Sequence, residues 1–176
     1  QVVIKDWRNI KKIPEEFRTK FSSDEEVLNS LKQAVVRTWW EINVIPKELR
    51  TRFLNDEEVL NSLKQAVIED WRNIREIPEE FRTKFLNDEE VLNSFKQVVI
   101  EDWFTIKYIP EELRTKFLND EELMRQVVIQ DWRTINVIPK ELRTKFLNDE
   151  ELMKQAVDRN WWNIFEIPQK FLTKFS

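Results

Sequence analysis

The chain has 176 residues, 41% of them hydrophobic and 35% charged, a composition that amphipathic helices supply and disordered segments do not. Its formal net charge of −4 is mildly acidic, which provides no general attraction to DNA or to an anionic membrane. With no cysteine and no histidine, disulfide frameworks, thiolate metal sites and the commonest general base are excluded.

From Gln1 the chain reads as the later part of a long helix, carrying Val2, Val3, Ile4 and Trp7. Ile13–Pro14 ends that segment, because proline disfavours helical geometry in the residue before it and suits the first turn of a new helix. A short helix follows, and the acidic triplet Asp24–Glu26 opens another long one. The same signals then recur. Tryptophan stands at Trp7, Trp39, Trp71, Trp103, Trp132 and Trp161, at steps of 32, 32, 32, 29 and 29 residues. Proline follows seven residues after each, at Pro14, Pro46, Pro78, Pro110, Pro139 and Pro168. Such self-similarity predicts a solenoid, in which each copy is one supersecondary unit that buries its face on its neighbours.

The copy from Asn55 to Leu86 shows the elements. Asn55 with Glu58, like Ser23 with Glu26, has the spacing of an N-cap and a carboxylate at the third helical position. Leu60, Leu63, Val67, Trp71 and Ile74 follow at steps of three and four, and Val59, Ala66 and Ile68 broaden that face. The expected first helix runs from Asp56 to Asn73. The second is short, about Pro78 to Leu86, with Phe81 and Phe85 one turn apart on its inner side, and Arg82 and Lys84 near its C-terminus. In the later copies VLNSLK becomes LMR, which predicts a shorter first helix with its face kept in register.

The fold class expected is all-α, an α-solenoid of about six two-helix repeats forming a single array over residues 1–176. The absence of glycine fits this, since it argues against turns that need positive φ and so against β-hairpins. The array begins in mid-repeat: Gln1 aligns with Gln33, Gln65, Gln97, Gln126 and Gln155, all inside the first helix. Val2, Val3, Ile4 and Trp7 at the front, and Trp161, Ile164, Phe171 and Phe175 at the rear, are expected to be covered by further repeats or by another subunit, since solenoids need capped ends.

The strings DEEVLNSLKQ and IPEELRT resemble a family of tandem helical repeats of unknown function found in bacterial effectors, protists and giant viruses. The resemblance implies a helical-hairpin fold and no particular activity. This chain departs from the family pattern in adding TKFLN after the short helix and in having no glycine after the lysine–glutamine pair. A designed or consensus-derived array has the same look.

Catalysis, metals and cofactors are not expected. Paired carboxylates such as Glu79–Glu80 recur from copy to copy, whereas an active site is singular. The acidic triplets at residues 24–26, 56–58, 88–90, 120–122 and 149–151 read as helix starts, because adjacent helical side chains point about 100° apart and do not converge on one ion. The expected function is therefore a non-enzymatic structural or protein-binding scaffold, with a protein partner or end-to-end self-association and no membrane insertion. The positions after each tryptophan vary while their surroundings repeat: Arg8, Trp40, Arg72, Phe104, Arg133 and Trp162. One turn on stand Val44 and Tyr108, so Trp40/Val44 and Phe104/Tyr108 form two apolar spots suited to a protein interface. The six repeat-marking tryptophans are expected to be core. The alternative function is a single-stranded nucleic-acid binder. It would use aromatic stacking and the basic ladder Arg18/Lys20, Arg50/Arg52, Arg82/Lys84, Arg114/Lys116, Arg143/Lys145 and Lys174. That ladder is otherwise explained by helix dipoles and by the acids a few positions away.

Overall fold

An aspartate starts each long helix. Asp56 has extended backbone (φ −81°, ψ 114°), and its carboxylate accepts the N–H bonds of Glu58 and Val59 at 3.1 and 3.2 Å. Asp24, Asp88, Asp120 and Asp149 accept from Val27, Val91, Leu123 and Leu152 in the same way. The cap thus lies one residue beyond Asn55 and Ser23, the positions read from the sequence. Placing the acid itself at the cap satisfies an orphan N–H and sets a negative charge against the positive end of the helix dipole. This use of the first acid of each triplet is structural.

The computed structural model describes residues 7–172, and those residues are helical with no strand. The long helices Glu25–Arg37, Glu57–Glu69 and Glu89–Glu101 have 13 residues, and Glu121–Gln130 and Glu150–Arg159 have 10. The shortening expected from LMR is therefore three residues. Register is kept from the C-terminal end: buried Met124, Val127 and Val128 stand as far before Trp132 as buried Leu63, Ala66 and Val67 stand before Trp71.

The long helix does not continue through the tryptophan to Asn73. It ends at Glu69; Asp70 turns extended (φ −142°, ψ 107°), and Trp71–Arg75 form a 3₁₀ helix. The same break precedes Trp39–Asn43, Trp103–Tyr108, Trp132–Asn136 and Trp161–Phe165. The side chains of Asp70, Asp102, Asp131 and Asn160 cap these second starts, accepting the N–H two residues on. In a 3₁₀ helix residues three apart eclipse, so Trp71 and Ile74 share a face; Ile74 is buried, as is Ile77 just beyond the segment. The residue two after the tryptophan ties the new direction to the old helix. Asn73 and Asn163 donate to the carbonyls of Ala66 and Ala156, both at 2.8 Å.

Proline then caps the short second helices Glu79–Phe85, Glu111–Leu118 and Lys140–Phe146. Phe81 and Phe85 point inward and are buried, as their spacing predicts. Among the described residues, each copy from Asp24 onward therefore holds two α-helices with a 3₁₀ segment between them.

By compactness the chain divides into two units, Gln1–Leu92 and Asn93–Ser176. In the first, Glu25–Arg37 packs on Glu57–Glu69, and in the second Glu121–Gln130 packs on Glu150–Arg159. A cation of one long helix also grips the cap of the next. Lys32 reaches Asp56 (3.0 Å) and Lys64 reaches Asp88 (3.0 Å) in the first unit. Lys96 reaches Asp120 (2.6 Å) and Arg125 reaches Asp149 (2.7 Å) in the second. Burial pushes the Asp88, Asp120 and Asp149 carboxyls up, but the opposing cation and the capped N–H groups outweigh it. All three carboxyls titrate below the ordinary aspartate value.

Candidate interaction face

The break before each tryptophan decides which side chains face solvent. Because the 3₁₀ segment turns away from the long helix, its inward positions are taken by the isoleucines at three-residue steps. The residue just after the tryptophan is carried outward. Trp40 is 48% exposed, Phe104 71% and Trp162 60%. Arg8, Arg72 and Arg133, at the same position, are exposed too. Tyr108 is exposed, whereas Val44 is half-buried and contributes only part of its surface.

The cations on this face have internal duties. Arg8 reaches Glu41 at 3.2 Å, and that carboxylate is buried. Arg72 stands over the Trp71 ring, 5.8 Å from its centroid. Arg133 makes three hydrogen bonds to the Asp131 carboxylate, at 2.8–3.2 Å. The Arg133 guanidinium, against an upward push from burial, holds the Asp131 carboxyl below its ordinary value.

The repeat-marking tryptophans differ from the sequence expectation. Trp103 and Trp132 are buried, Trp39 and Trp71 are half-buried, and Trp161 is exposed. The reason is the break: the tryptophan no longer continues the face of the long helix, and its cover depends on what packs beside it. Trp132 meets the next copy, where the side-chain oxygen of buried Asn163 accepts the Trp132 backbone N–H at 3.1 Å. Trp161 instead stacks on Trp162, with centroids 4.1 Å apart, and meets Phe165 edge-on at 5.8 Å. Ile164 beside them is half-buried and Phe171 is buried. Val2, Val3, Ile4 and Phe175 lie outside the described residues.

An open groove lies beside these positions in each unit. In the first unit a groove of about 620 Å³ is lined by Trp39, Trp40, Glu58, Gln65 and Glu69, among others. In the second unit a groove of about 660 Å³ is lined by Arg133 and Trp162 with Glu101, Asp131, Phe165 and Glu166. The structure thus brings together two of the residues singled out from the sequence, Arg133 and Trp162, and sets Trp40 in the other groove. Phe165 escaped the sequence reading although a signal was present: its position is Lys11, Asn43, Arg75, Lys107 or Asn136 in the other copies. A phenylalanine where every other copy is polar marks an exposed aromatic.

The basic ladder is largely consumed within the fold. Arg18 pairs with Glu48 at 3.4 Å and Arg50 with Glu80 at 2.7 Å. Arg82, Arg114 and Arg143 each donate to two backbone carbonyls of their own copy, at Ile77, Ile109 and Ile138 and two residues earlier. Those carbonyls end the 3₁₀ segments, where helical partners run out. Lys145 binds Glu121 and Lys84 binds Asn55. Guanidiniums committed to carbonyls are poorly placed to track a phosphate backbone, so this geometry gives the nucleic-acid alternative no support. No helix among the described residues is long and apolar enough to cross a membrane. A scan of protein-family models, a search of curated proteins and a search of solved structures each find no match to this chain.

Proposed function

We propose that this chain is a non-enzymatic scaffold of helical repeats that binds protein partners through the face following each tryptophan. One observation carries the reading: Trp40, Phe104 and Trp162 stand at the same repeat position and are each about half exposed or more, while the isoleucines two residues later are mostly buried. Large aromatics held outward on helical repeats cost solvation and gain nothing for the core, which is the pattern of an interface anchor. The positions vary between cation and aromatic without changing the fold around them, so specificity can be written there independently of stability.

The test uses ligands selected from an unbiased peptide display library on the folded chain. Trp40→Ala, Phe104→Ala and Trp162→Ala are expected to weaken those ligands about tenfold or more, the loss typical of an interface anchor. Ligands indifferent to all three substitutions would overturn the reading. So would tight binding of generic RNA that falls steeply with salt.

A further inference from the structure

We propose that the groove of the second unit is a receptor for an arginine side chain of a basic partner segment; this rests on the reading of the face as a protein-binding surface and names its ligand there. Three observations converge on it. The groove holds the carboxylates of Glu101, Asp131 and Glu166 against the single cation Arg133. Arg133 and Asp131 satisfy each other, which leaves Glu101 and Glu166 to set the sign of the groove. Glu101 accepts one hydrogen bond from Gln97 at 2.7 Å, and Glu166 feels the Arg133 charge without a side-chain hydrogen bond among the described residues.

The second observation is aromatic. Trp162 and Phe165 line the groove and are 60% and 68% exposed. They lie 5.7 Å apart between centroids, and Trp161 backs Trp162. Stacking of this kind fixes the rings, so they present surface without losing rotamer freedom on binding. Elsewhere the protein already places its own cations over aromatic rings. Lys20 stands over Phe17, Arg72 over Trp71, Lys107 over Tyr108 and Lys170 over Phe171, at 4.6–5.8 Å. Among the described residues no cation stands over Trp161, Trp162 or Phe165. The groove thus offers ring faces together with three carboxylates against one cation, the two kinds of group that a guanidinium satisfies at once through cation–π contact and a charge-assisted hydrogen bond.

The third is size. At about 660 Å³ the groove exceeds the volume of one side chain and takes a few residues of extended backbone with it. Its open form suits a segment that crosses the face rather than an enclosed small molecule.

The whole chain is titrated by calorimetry with a nine-residue peptide carrying two arginines, and with the same peptide carrying citrulline, which keeps the shape and removes the charge. The arginine peptide is expected to bind about tenfold or more tightly than its citrulline form. Trp162→Ala, and separately the double change Glu101→Gln with Glu166→Gln, should each reduce that preference to near unity. All of these side chains are exposed, and circular dichroism confirms that the variants stay folded. Phe17→Ala, at an exposed aromatic that lines neither groove, should change nothing. Equal affinity for the two peptides, or a preference that survives Trp162→Ala, overturns the proposal. Such a result, obtained while library-selected ligands still depend on Trp40 and Phe104, removes the arginine site and leaves the broader scaffold reading standing.

Discussion

Trp132 and Trp40 are chemically identical and sit one position apart in the repeat, yet the first is wholly buried and the second is 48% exposed. What separates them is the 3₁₀ segment, which turns one position in and the next out. Removing the Trp132 side chain leaves a large cavity in the second unit, while the backbone N–H that Asn163 accepts stays in place. Trp132→Ala is therefore expected to cost about 3–5 kcal/mol in urea denaturation. Trp40→Ala should cost less than about 1 kcal/mol, the ordinary range for a surface substitution. Comparable losses at the two sites would show that Trp40 is held by the core and would take an anchor away from the proposed face. The outward set was readable in the sequence because those positions vary while their neighbours repeat. The uneven burial of Trp39, Trp71, Trp103, Trp132 and Trp161 was not, because a marker that repeats without change carries no record of which copies cover it.

At the scale of the element, the aspartate of each long helix does two jobs that a substitution can separate. Asp88 caps its helix through the N–H groups of Glu90 and Val91 and also receives Lys64 of the preceding helix. Asparagine caps as well as aspartate but carries no charge. Asp88→Asn should then cost no more than about 1 kcal/mol, the worth of a partly exposed ion pair, whereas Asp88→Ala loses the cap as well and costs about 1 kcal/mol beyond that. Chemical denaturation of the two variants decides it. If Asn and Ala prove equally damaging, the carboxylate acts through charge alone and the capping role falls. Helix number, the short second helix and the three-residue shortening were all legible, because periodicity and proline report them directly. The break before the tryptophan was not read, although two signals announced it. Asp6, Thr38, Asp70, Asp102, Asp131 and Asn160 are all N-cap residue types, and Trp71, Ile74 and Ile77 follow at steps of three rather than three and four. A seven-residue window of apolar side chains at such spacing satisfies the α and 3₁₀ periods almost equally, and only the cap residue distinguishes them.

For the molecule as a whole, the clamps between successive long helices make stability depend on pH in a particular way. In a repeat protein, stability is a sum of weak units and the junctions between them, and each clamp named above crosses a junction within its unit. Asp88, Asp120 and Asp149 are pushed up by burial but pulled further down by Lys64, Lys96 and Arg125 and by the N–H groups they cap, so all three titrate below 3.8. A carboxyl whose folded value is depressed contributes stability above its unfolded value and loses it as pH falls through the folded one. The junctions should accordingly weaken as pH drops below 3.8. On the other flank, hydrogen bonds from Lys64 to Glu90 and Asp88 outweigh its desolvation and raise it above 10.5. Its contribution is complete below 10.5 and is lost as pH rises through the raised value. Between these limits the chain has no histidine to titrate. Melting followed by circular dichroism should therefore give a midpoint nearly constant from about pH 5 to about pH 9 and falling on both sides. Asp88→Asn should shrink the acid-side fall, because the group that must be protonated there is gone, while leaving the alkaline side in place through the remaining Lys64–Glu90 pair. A midpoint that drops within the neutral range, or an acid limb unchanged by Asp88→Asn, would show that these clamps do not hold the copies together.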